Sequence, residues 1–350
     1  MTIKDEDMVS DVIVASTHSP VLFFSTLGKV YQMKVYRLPL GTPQARGRAM
    51  VNLLPLAQGE TISTVLIMPE NLDQTREPYL MFATSLGNVR RNRLDDFENI
   101  PSNGKRAMRL DENEKLIAVA LCHEDEDVML STQKGLCNRF NVTDIRIFSG
   151  RDSNGVRGIR LGQEDRVISM AILSQGRLSM EERDAYLRQA AKVRQAMEES
   201  EEEPEELSAL EESVASFQIS PERFQELSEQ EQFILTITEK GFGKRSSAYG
   251  YRTTQRGSQG FSSIMVNARN GGVVASFPVQ NDSQILLVTD QGRLMRCPIH
   301  DVRITRRTAQ GVIIFRVDPG EKVVAVSCIP GDDQQEDEDT SEVLNADDIV

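Results

Sequence analysis

One unit recurs five times along this chain of 350 residues. In each copy a glycine ends an apolar run and opens a basic strand, and a second glycine follows in an Arg-rich loop. The first glycines are Gly28, Gly87, Gly135, Gly241 and Gly292, and their loop partners are Gly47, Gly104, Gly155, Gly260 and Gly311. The two glycines of a unit are 19, 17, 20, 19 and 19 residues apart. Such regularity indicates a repeat architecture. A chain of this length would ordinarily suggest two domains, but a repeat array can form a single one.

Short strands account for most of each unit. Residues 62–68, 79–84 and 88–94 are apolar or alternating runs bounded by turn residues, which is typical of strands. Residues 50–56 and 107–110 are predicted to be the closing strands of the first two units. Four short strands per repeat predict an all-β, propeller-like ring of about five four-stranded blades. The predicted units are about 9–61, 62–116, 117–166, 167–273 and 274–330, which together make one domain of residues 1–330.

An acidic insertion interrupts the fourth unit at residues 176–232. Ser179 and Glu182 form a capping box, and apolar residues at helical spacing follow, so the insertion is predicted to begin with an α-helix. A second helix is predicted over 205–216, with a short third helix after it. We interpret the insertion as an acidic helical hairpin that projects from one blade edge; a disordered acidic linker is the alternative.

The charge of the chain is unevenly placed. The formal net charge is -13, but residues 176–232 carry 16 acids against 6 bases, and residues 331–350 carry 9 acids and no base. That tail has too little apolar content to fold and is predicted to be disordered. The rest of the chain has 34 Lys and Arg against 28 Asp and Glu. The repeats are therefore net positive, and the charge of the whole chain does not exclude a polyanionic partner.

No constellation of catalytic residues is present in the sequence. The four cysteines stand singly and the three histidines lie in different units, so neither a zinc site nor a disulfide framework is indicated. The run from Gly241 to Lys244 lacks the first glycine of a phosphate-binding loop, because position 238 is Thr, and Arg245 replaces its Ser or Thr. We therefore predict no catalytic residue, no metal ligand and no cofactor for this chain.

The sequence also has no membrane or targeting signal. No apolar run approaches the roughly 18 residues of a membrane span, and the first residues do not resemble a signal peptide. A cytoplasmic protein is predicted.

Positive charge recurs at two places in the repeat, on the strand after the first glycine and in the loop around the second. In a ring of blades, equivalent positions fall at equivalent places, so these charges are predicted to form a band that holds a polyanion through its phosphates. The alternative is an ordinary solvated outer face. The candidate binding residues are Lys34, Arg46, Arg48, Arg90, Arg91, Arg93, Lys105, Arg106, Arg139, Arg157, Lys244, Arg245, Arg252, Arg256, Arg296, Arg306 and Arg307.

Several ordered runs of this chain resemble one known family, the C-terminal domain of the gyrase A protein of DNA gyrases. The matching runs are VASTH at 14–18, KVYQMKVYRLP at 29–39, ARGRAMVNLLPL at 45–56, GVRGIRLG at 155–162, GFGKR at 241–245 and TAQGVI at 308–313. The resemblance covers residues 3–328 except the insertion. It implies a β-pinwheel, a propeller-like ring whose blades exchange a strand, with double-stranded DNA wrapped around a basic rim.

The resemblance also implies a place in a larger enzyme. DNA wrapping would support ATP-dependent negative supercoiling by a type IIA topoisomerase, together with the breakage-reunion domain of gyrase A and the gyrase B protein. ATP and magnesium would act in those parts. The family's Gln-(Arg/Lys)-Arg-Gly-Gly-(Arg/Lys)-Gly box is missing, and residues 44–50 and 255–260 are only degenerate relatives of it. We therefore expect that a first blade with the box precedes Met1, which leaves five of six blades here.

Two alternatives stay open at this stage. The equivalent domain of topoisomerase IV has a degraded box, and a propeller can also be a scaffold for protein interactions with the acidic hairpin as its contact. We further predict that the acidic tail of residues 331–350, and the hairpin, compete with DNA for the basic band, because they lie beside a net-positive ring.

Overall fold

The computed structural model describes residues 13, 15–41, 47–69, 75–176, 178–197 and 218–329. These residues form strands that are nearly all short, and two α-helices. The strands are β1 (Pro20–Ser25), β2 (Lys29–Lys34), β3 (Ile62–Ile67), β4 (Tyr79–Thr84), β5 (Asn88–Arg93), β6 (Lys105–Arg106), β7 (Leu116–Cys122), β8 (Glu126–Thr132), β9 (Leu136–Asn141), β10 (Val156–Arg157), β11 (Val167–Ser174), β12 (Phe233–Thr238), β13 (Phe242–Ser247), β14 (Phe261–Ser262), β15 (Val273–Val279), β16 (Gln284–Thr289), β17 (Leu294–Pro298), β18 (Val312–Ile313) and β19 (Val323–Ile329). The helices are α1 (Met180–Met197) and α2 (Pro221–Glu229).

The strands form five antiparallel sheets, which are the blades of the predicted ring. From the inner to the outer strand, blade one is β3-β1-β2-β6, blade two β7-β4-β5-β10, blade three β11-β8-β9-β14, blade four β15-β12-β13-β18 and blade five β19-β16-β17. The inner strands β3, β7, β11, β15 and β19 contact one another in that order. The all-β fold of five blades is confirmed, although the fifth sheet has three strands in the described part of the chain.

Neighbouring blades exchange a strand, as the resemblance implied. Each outer strand comes from the Gly-containing loop of the next repeat unit; in blade one, Lys29 of β2 pairs with Arg106 of β6. The same exchange joins β10 to β5, β14 to β9 and β18 to β13. Because the outer edge of a blade is covered by the following unit, consecutive blades are tied together by backbone hydrogen bonds.

The predicted closing strands at 50–56 and 107–110 are wrong. Met50–Asn52 forms a 3-10 turn, and the exchanged strand of the second unit ends at Arg106. The backbone N–H groups of Ala107 and Met108 both donate to the Gly28 carbonyl, at 2.8 and 3.1 Å, which ends the regular ladder there.

The blade boundaries also differ from the predicted units. The strands that were expected to open a unit, beginning with β3 and including β11, instead form the inner strand of the preceding blade. The helical insertion therefore lies in the connection between blades three and four. Local pattern locates a strand but does not say which sheet it joins.

The glycines at the start of each unit have two physical roles. Gly28 and Gly241 have φ values of 75° and 74°, the left-handed region that a β-hairpin turn requires. A Cβ at Gly28 would lie 2.5 Å from the Met108 carbonyl oxygen, and one at Gly241 would lie 1.9 Å from that of Phe315. The turn and the close approach of the exchanged segment both exclude a side chain at these positions.

The core lies between the blades. Leu22 and Phe24 of blade one pack with Leu80 and Phe82 of blade two and with Met108 of the exchanged segment. Phe24 and Phe82 meet edge to face, with ring centroids 5.7 Å apart. Burial of these side chains from both neighbouring sheets makes each blade depend on the next for its hydrophobic contacts.

A buried carboxylate fixes the turn before several inner strands. Glu321 accepts hydrogen bonds from the Asp318 backbone N–H at 2.8 Å and from the Thr289 hydroxyl at 2.6 Å. Glu114 occupies the same place in blade two and accepts from Asp111 and Thr84. The Asp318 N–H, the Thr289 hydroxyl and the nearby Arg293 guanidinium hold the pKa of Glu321 below its usual value.

The helical part of the insertion packs on blade four and does not project from it. Tyr186 and Ala190 of α1 and Leu227 of α2 form a buried cluster with Tyr249, and the Tyr249 hydroxyl donates to the Leu227 carbonyl at 3.1 Å. The expected projecting hairpin is wrong for these helices, because their apolar side chains dock on Tyr249. The predicted cap is present, with the Glu182 N–H donating to the Ser179 hydroxyl at 3.1 Å.

The predicted second helix at 205–216 and the acidic tail lie outside the described residues. In the part of the chain that is described, no helix is long and apolar enough to cross a membrane.

Candidate nucleic-acid interface

The rim surface consists of the outer strands β6, β10, β14 and β18 and the loops that lead into them. The loop of unit four shows how it is built, because it runs along the outer edge of blade three. Thr253 bridges to Arg139 of β9, and the Gly257 N–H donates to the Gly158 carbonyl of the blade-two loop at 2.7 Å. The rim loops of neighbouring blades therefore touch, and side chains on them belong to one continuous surface.

Eleven of the candidate binding residues are accessible to solvent, eight of them exposed and three half-buried. The exposed ones are Lys34, Arg48, Arg93, Arg106, Arg157, Arg252, Arg256 and Arg296, and the half-buried ones are Lys105, Arg306 and Arg307. Arg46 lies outside the described residues. Whether any of these side chains contacts DNA stays a prediction, which exposure alone does not test.

Carboxylates divide the exposed arginines into two groups. Arg93 pairs with Glu77 at 2.6 Å, and Arg106 pairs with Asp152 at 2.9 Å. Arg157, Arg252 and Arg256 have no carboxylate within ion-pair distance among the described residues. The second group keeps its full positive charge for a ligand. The sequence did not distinguish the two groups.

Five candidate residues are buried, so their expected place in an exposed band is wrong. Arg90, Arg91, Arg139, Lys244 and Arg245 have between 0 and 5% of their surface accessible. They lie on the strand after the first glycine, and the hydrogen bonds that they donate go to acceptors within the protein. A DNA phosphate cannot reach a side chain that is enclosed in this way.

Arg139 shows what these buried cations do. Its Nε donates to Asp127 at 2.7 Å, and its Nη1 donates to the carbonyls of Ala248 and Tyr251 at 2.9 and 3.3 Å. Its Nη2 donates to the Ser174 carbonyl, at the root of the insertion, at 2.9 Å. The guanidinium thus joins blade three to the 3-10 turn of unit four, just before the rim loop begins. Arg245 repeats the contact one blade later, donating to the Val302 carbonyl at 2.7 Å.

The side chain one residue before this arginine in the strand fixes the other end of the rim loop. Lys244 Nζ donates to the carbonyls of Ser263, Arg306 and Arg307. Arg90 occupies the same position in blade two and donates to the Ser153 carbonyl at 3.1 Å. Burial lowers the pKa of Arg90 to about 10, which leaves the side chain charged at neutral pH. The two buried positions of a blade together position the loop that lies on its outer edge.

Aromatic residues of the rim contact three arginines, of which the sequence interpretation missed Arg146. Arg146 lies over the Phe148 ring, with 4.2 Å from the guanidinium carbon to the ring centroid. Arg252 and Arg307 both lie over Phe261, at 5.6 and 4.8 Å. Arg146 and Phe148 are two residues apart in a loop, and side chains at that spacing lie on the same side of an extended segment. This spacing is the sequence signal by which the pair could have been found.

The family model described as DNA gyrase C-terminal domain, beta-propeller, matches residues 19–67, 78–123, 126–174, 232–280 and 283–330. These five matches coincide with the five blades and leave out the connection that holds α1 and α2.

The sequence relatives are longer proteins. The gyrase A protein of DNA gyrase from Rickettsia bellii (strain RML369-C) is 46% identical over 345 residues, which is 98% of this chain and 37% of that protein. The gyrase A protein from Escherichia coli (strain K12) is 33% identical over 338 residues, or 97% of this chain and 32% of that protein. The chain thus spans about a third of the length of these relatives.

Solved structures share the fold. The C-terminal domain of DNA topoisomerase IV has a TM-score of 0.67 at 16% identity, covering 90% of this chain and 80% of that one. The DNA gyrase A C-terminal domain has a TM-score of 0.63 at 20% identity, covering 92% of this chain and 89% of that one.

Proposed function

Because this chain belongs to the family of DNA gyrase C-terminal β-propeller domains, we propose that it binds duplex DNA on its rim surface and wraps the duplex around the ring. The observation that carries the proposal is the set of exposed arginines without carboxylate partners in the described part of the chain, represented by Arg157, Arg252 and Arg256. They lie on loops that touch from one blade to the next, so a polyanion that follows the rim meets them in succession.

The chemistry of the rim fits a DNA backbone better than base edges. Guanidinium groups bind phosphate oxygens without regard to sequence, and they fix the path of the duplex. Bending a duplex costs several kcal/mol, which many phosphate contacts have to offset. A surface that is repeated from blade to blade supplies such contacts at regular intervals.

We place the chain in the gyrase A protein in preference to topoisomerase IV, because the sequence relatives are gyrase A proteins whereas the topoisomerase IV domain shares only the fold. Wrapping would support ATP-dependent negative supercoiling in the cytoplasm. The steps that need ATP and magnesium would belong to the breakage-reunion domain and the gyrase B protein. Within this chain, the residues that act are those that hold the duplex.

The salt dependence of DNA affinity tests the proposal. Duplexes of random sequence should bind residues 1–350 with similar affinities. If about six phosphates are neutralised, the affinity should fall by about a thousandfold between 50 and 200 mM salt. Fluorescence anisotropy at several salt concentrations measures the slope. Undetectable binding, or an affinity that is nearly independent of salt, would contradict DNA binding through the rim.

A further inference from the structure

Phe261 lies where two rim loops meet. It belongs to β14, the strand that unit four adds to blade three, and it pairs with Cys137 of β9. Arg252 comes from the same rim loop, whereas Arg307 comes from the loop that unit five adds to blade four. Both guanidinium carbons lie over the Phe261 ring, at 5.6 and 4.8 Å from its centroid. One ring therefore holds cations from two successive units.

The backbone next to each arginine is fixed from inside the protein. Arg139 donates to the Tyr251 carbonyl, directly before Arg252, and the Thr253 hydroxyl donates to the buried Asp127 at 3.2 Å. Lys244 donates to the carbonyl of Arg307 itself. The two guanidinium groups thus extend from backbone that cannot move independently of blades three and four.

The donors of these two arginines are largely unused. Arg252 is exposed and has no carboxylate partner among the described residues, and neither does Arg307. Arg307 is half-buried, so part of its side chain is accessible to a ligand. A guanidinium over an aromatic ring is restrained through its π face and keeps its N–H donors available. Two cations on one ring attract an anion to this junction.

We propose that Arg252, Phe261 and Arg307 form a phosphate clamp for the DNA backbone at the junction of blades three and four. This inference rests on the proposed function, and it adds an aromatic positioning residue to the DNA interface. Phe261 acts through the two arginines, which it holds ready for a phosphodiester group. The conformational entropy lost on binding is small because both arginine side chains are already restrained.

The test uses the full chain and a duplex of random sequence. Replacing Phe261 by Leu keeps an apolar side chain but removes the ring, and it should weaken DNA affinity about fivefold. Phe261→Tyr should restore most of that affinity. The double variant Arg252→Gln/Arg307→Gln should lower the slope of log affinity against log salt by about two. Melting temperatures of all variants establish that they are folded.

A double-mutant cycle separates positioning from a merely structural role. Because Phe261 acts through the arginines, adding Phe261→Leu to Arg252→Gln/Arg307→Gln should cause little further loss of affinity. An unchanged affinity of Phe261→Leu would overturn the clamp, and so would a full additional loss in the double background. An unchanged slope in Arg252→Gln/Arg307→Gln would also overturn it. If the unaltered chain binds no DNA, the proposed function fails and the clamp with it.

Discussion

Neutralising Arg157, Arg252 and Arg256 together is expected to lower the affinity for duplex DNA by at least about a hundredfold at low salt. Each of these exposed side chains lacks a carboxylate partner among the described residues, so each has its full charge available for a phosphate. A charge-assisted hydrogen bond contributes about 1.5 kcal/mol. The slope of log affinity against log salt should fall by nearly three. Binding isotherms of the triple glutamine variant at several salt concentrations measure both quantities.

A matched variant removes the same charge from exposed cations that already have carboxylate partners. Arg76, Arg93 and Lys322 are exposed but each forms an ion pair, with Asp125, Glu77 and Glu239 respectively. Replacing these three by glutamine should weaken DNA binding by only a few fold. Equal losses in the two triple variants would show that general charge, and not the unpaired rim arginines, determines the affinity.

Replacing Arg139 by Met is expected to destabilise the chain by about 3–5 kcal/mol. The substitution leaves Asp127 buried and without its cation, which is the costly way to break a buried ion pair. It also removes donors from the Ala248, Tyr251 and Ser174 carbonyls, where unit four and the insertion meet blade three. Urea unfolding of the variant and the unaltered chain measures the difference in free energy of unfolding.

Two further substitutions make this result specific. Arg157→Met removes an exposed arginine of the same repeat unit and should change the free energy of unfolding by less than about 0.5 kcal/mol. Adding Asp127→Leu to Arg139→Met removes the unpaired carboxylate and should recover a large part of the loss. A loss below about 1 kcal/mol for Arg139→Met alone would contradict its role as an inter-blade contact.

The repeat was predictable because glycine is required for local reasons. Gly28 and its counterparts adopt positive φ in hairpin turns, so each blade needs one such glycine. Counting these glycines in the sequence therefore predicts the number of blades. Strands such as β4 and β5 were located correctly because their apolar patterns are short and bounded by turns. The exchange of outer strands had no local signal, and the resemblance to a family supplied it.

The candidate site was predictable only in part. Arg139 and Arg157 are both arginines on strands of the repeat, but Arg139 faces the next blade whereas Arg157 lies on an exchanged edge strand. That distinction depends on which sheet a segment joins, which residue type does not determine. A buried arginine also departs from the usual rule that charged side chains are exposed, and it is tolerated here because the neighbouring unit supplies hydrogen-bond acceptors.

The insertion illustrates the same limit. Its acidic composition suggested a projecting element, yet Tyr186 and Leu227 dock on Tyr249 of blade four. The cap at Ser179 was visible in the sequence because capping is local. The docking of α1 was not, because its partner Tyr249 is contributed by a segment more than fifty residues away along the chain.

The linking number of a plasmid bound by this chain reports directly whether the chain wraps duplex DNA around its rim. A nicked plasmid is bound by residues 1–350, sealed with ligase, freed of protein and separated by electrophoresis. If the chain wraps DNA, the topoisomer distribution should shift in one sense from the protein-free control and shift further as more protein is bound. An unshifted distribution at concentrations where a gel shift shows the plasmid to be fully bound would contradict wrapping.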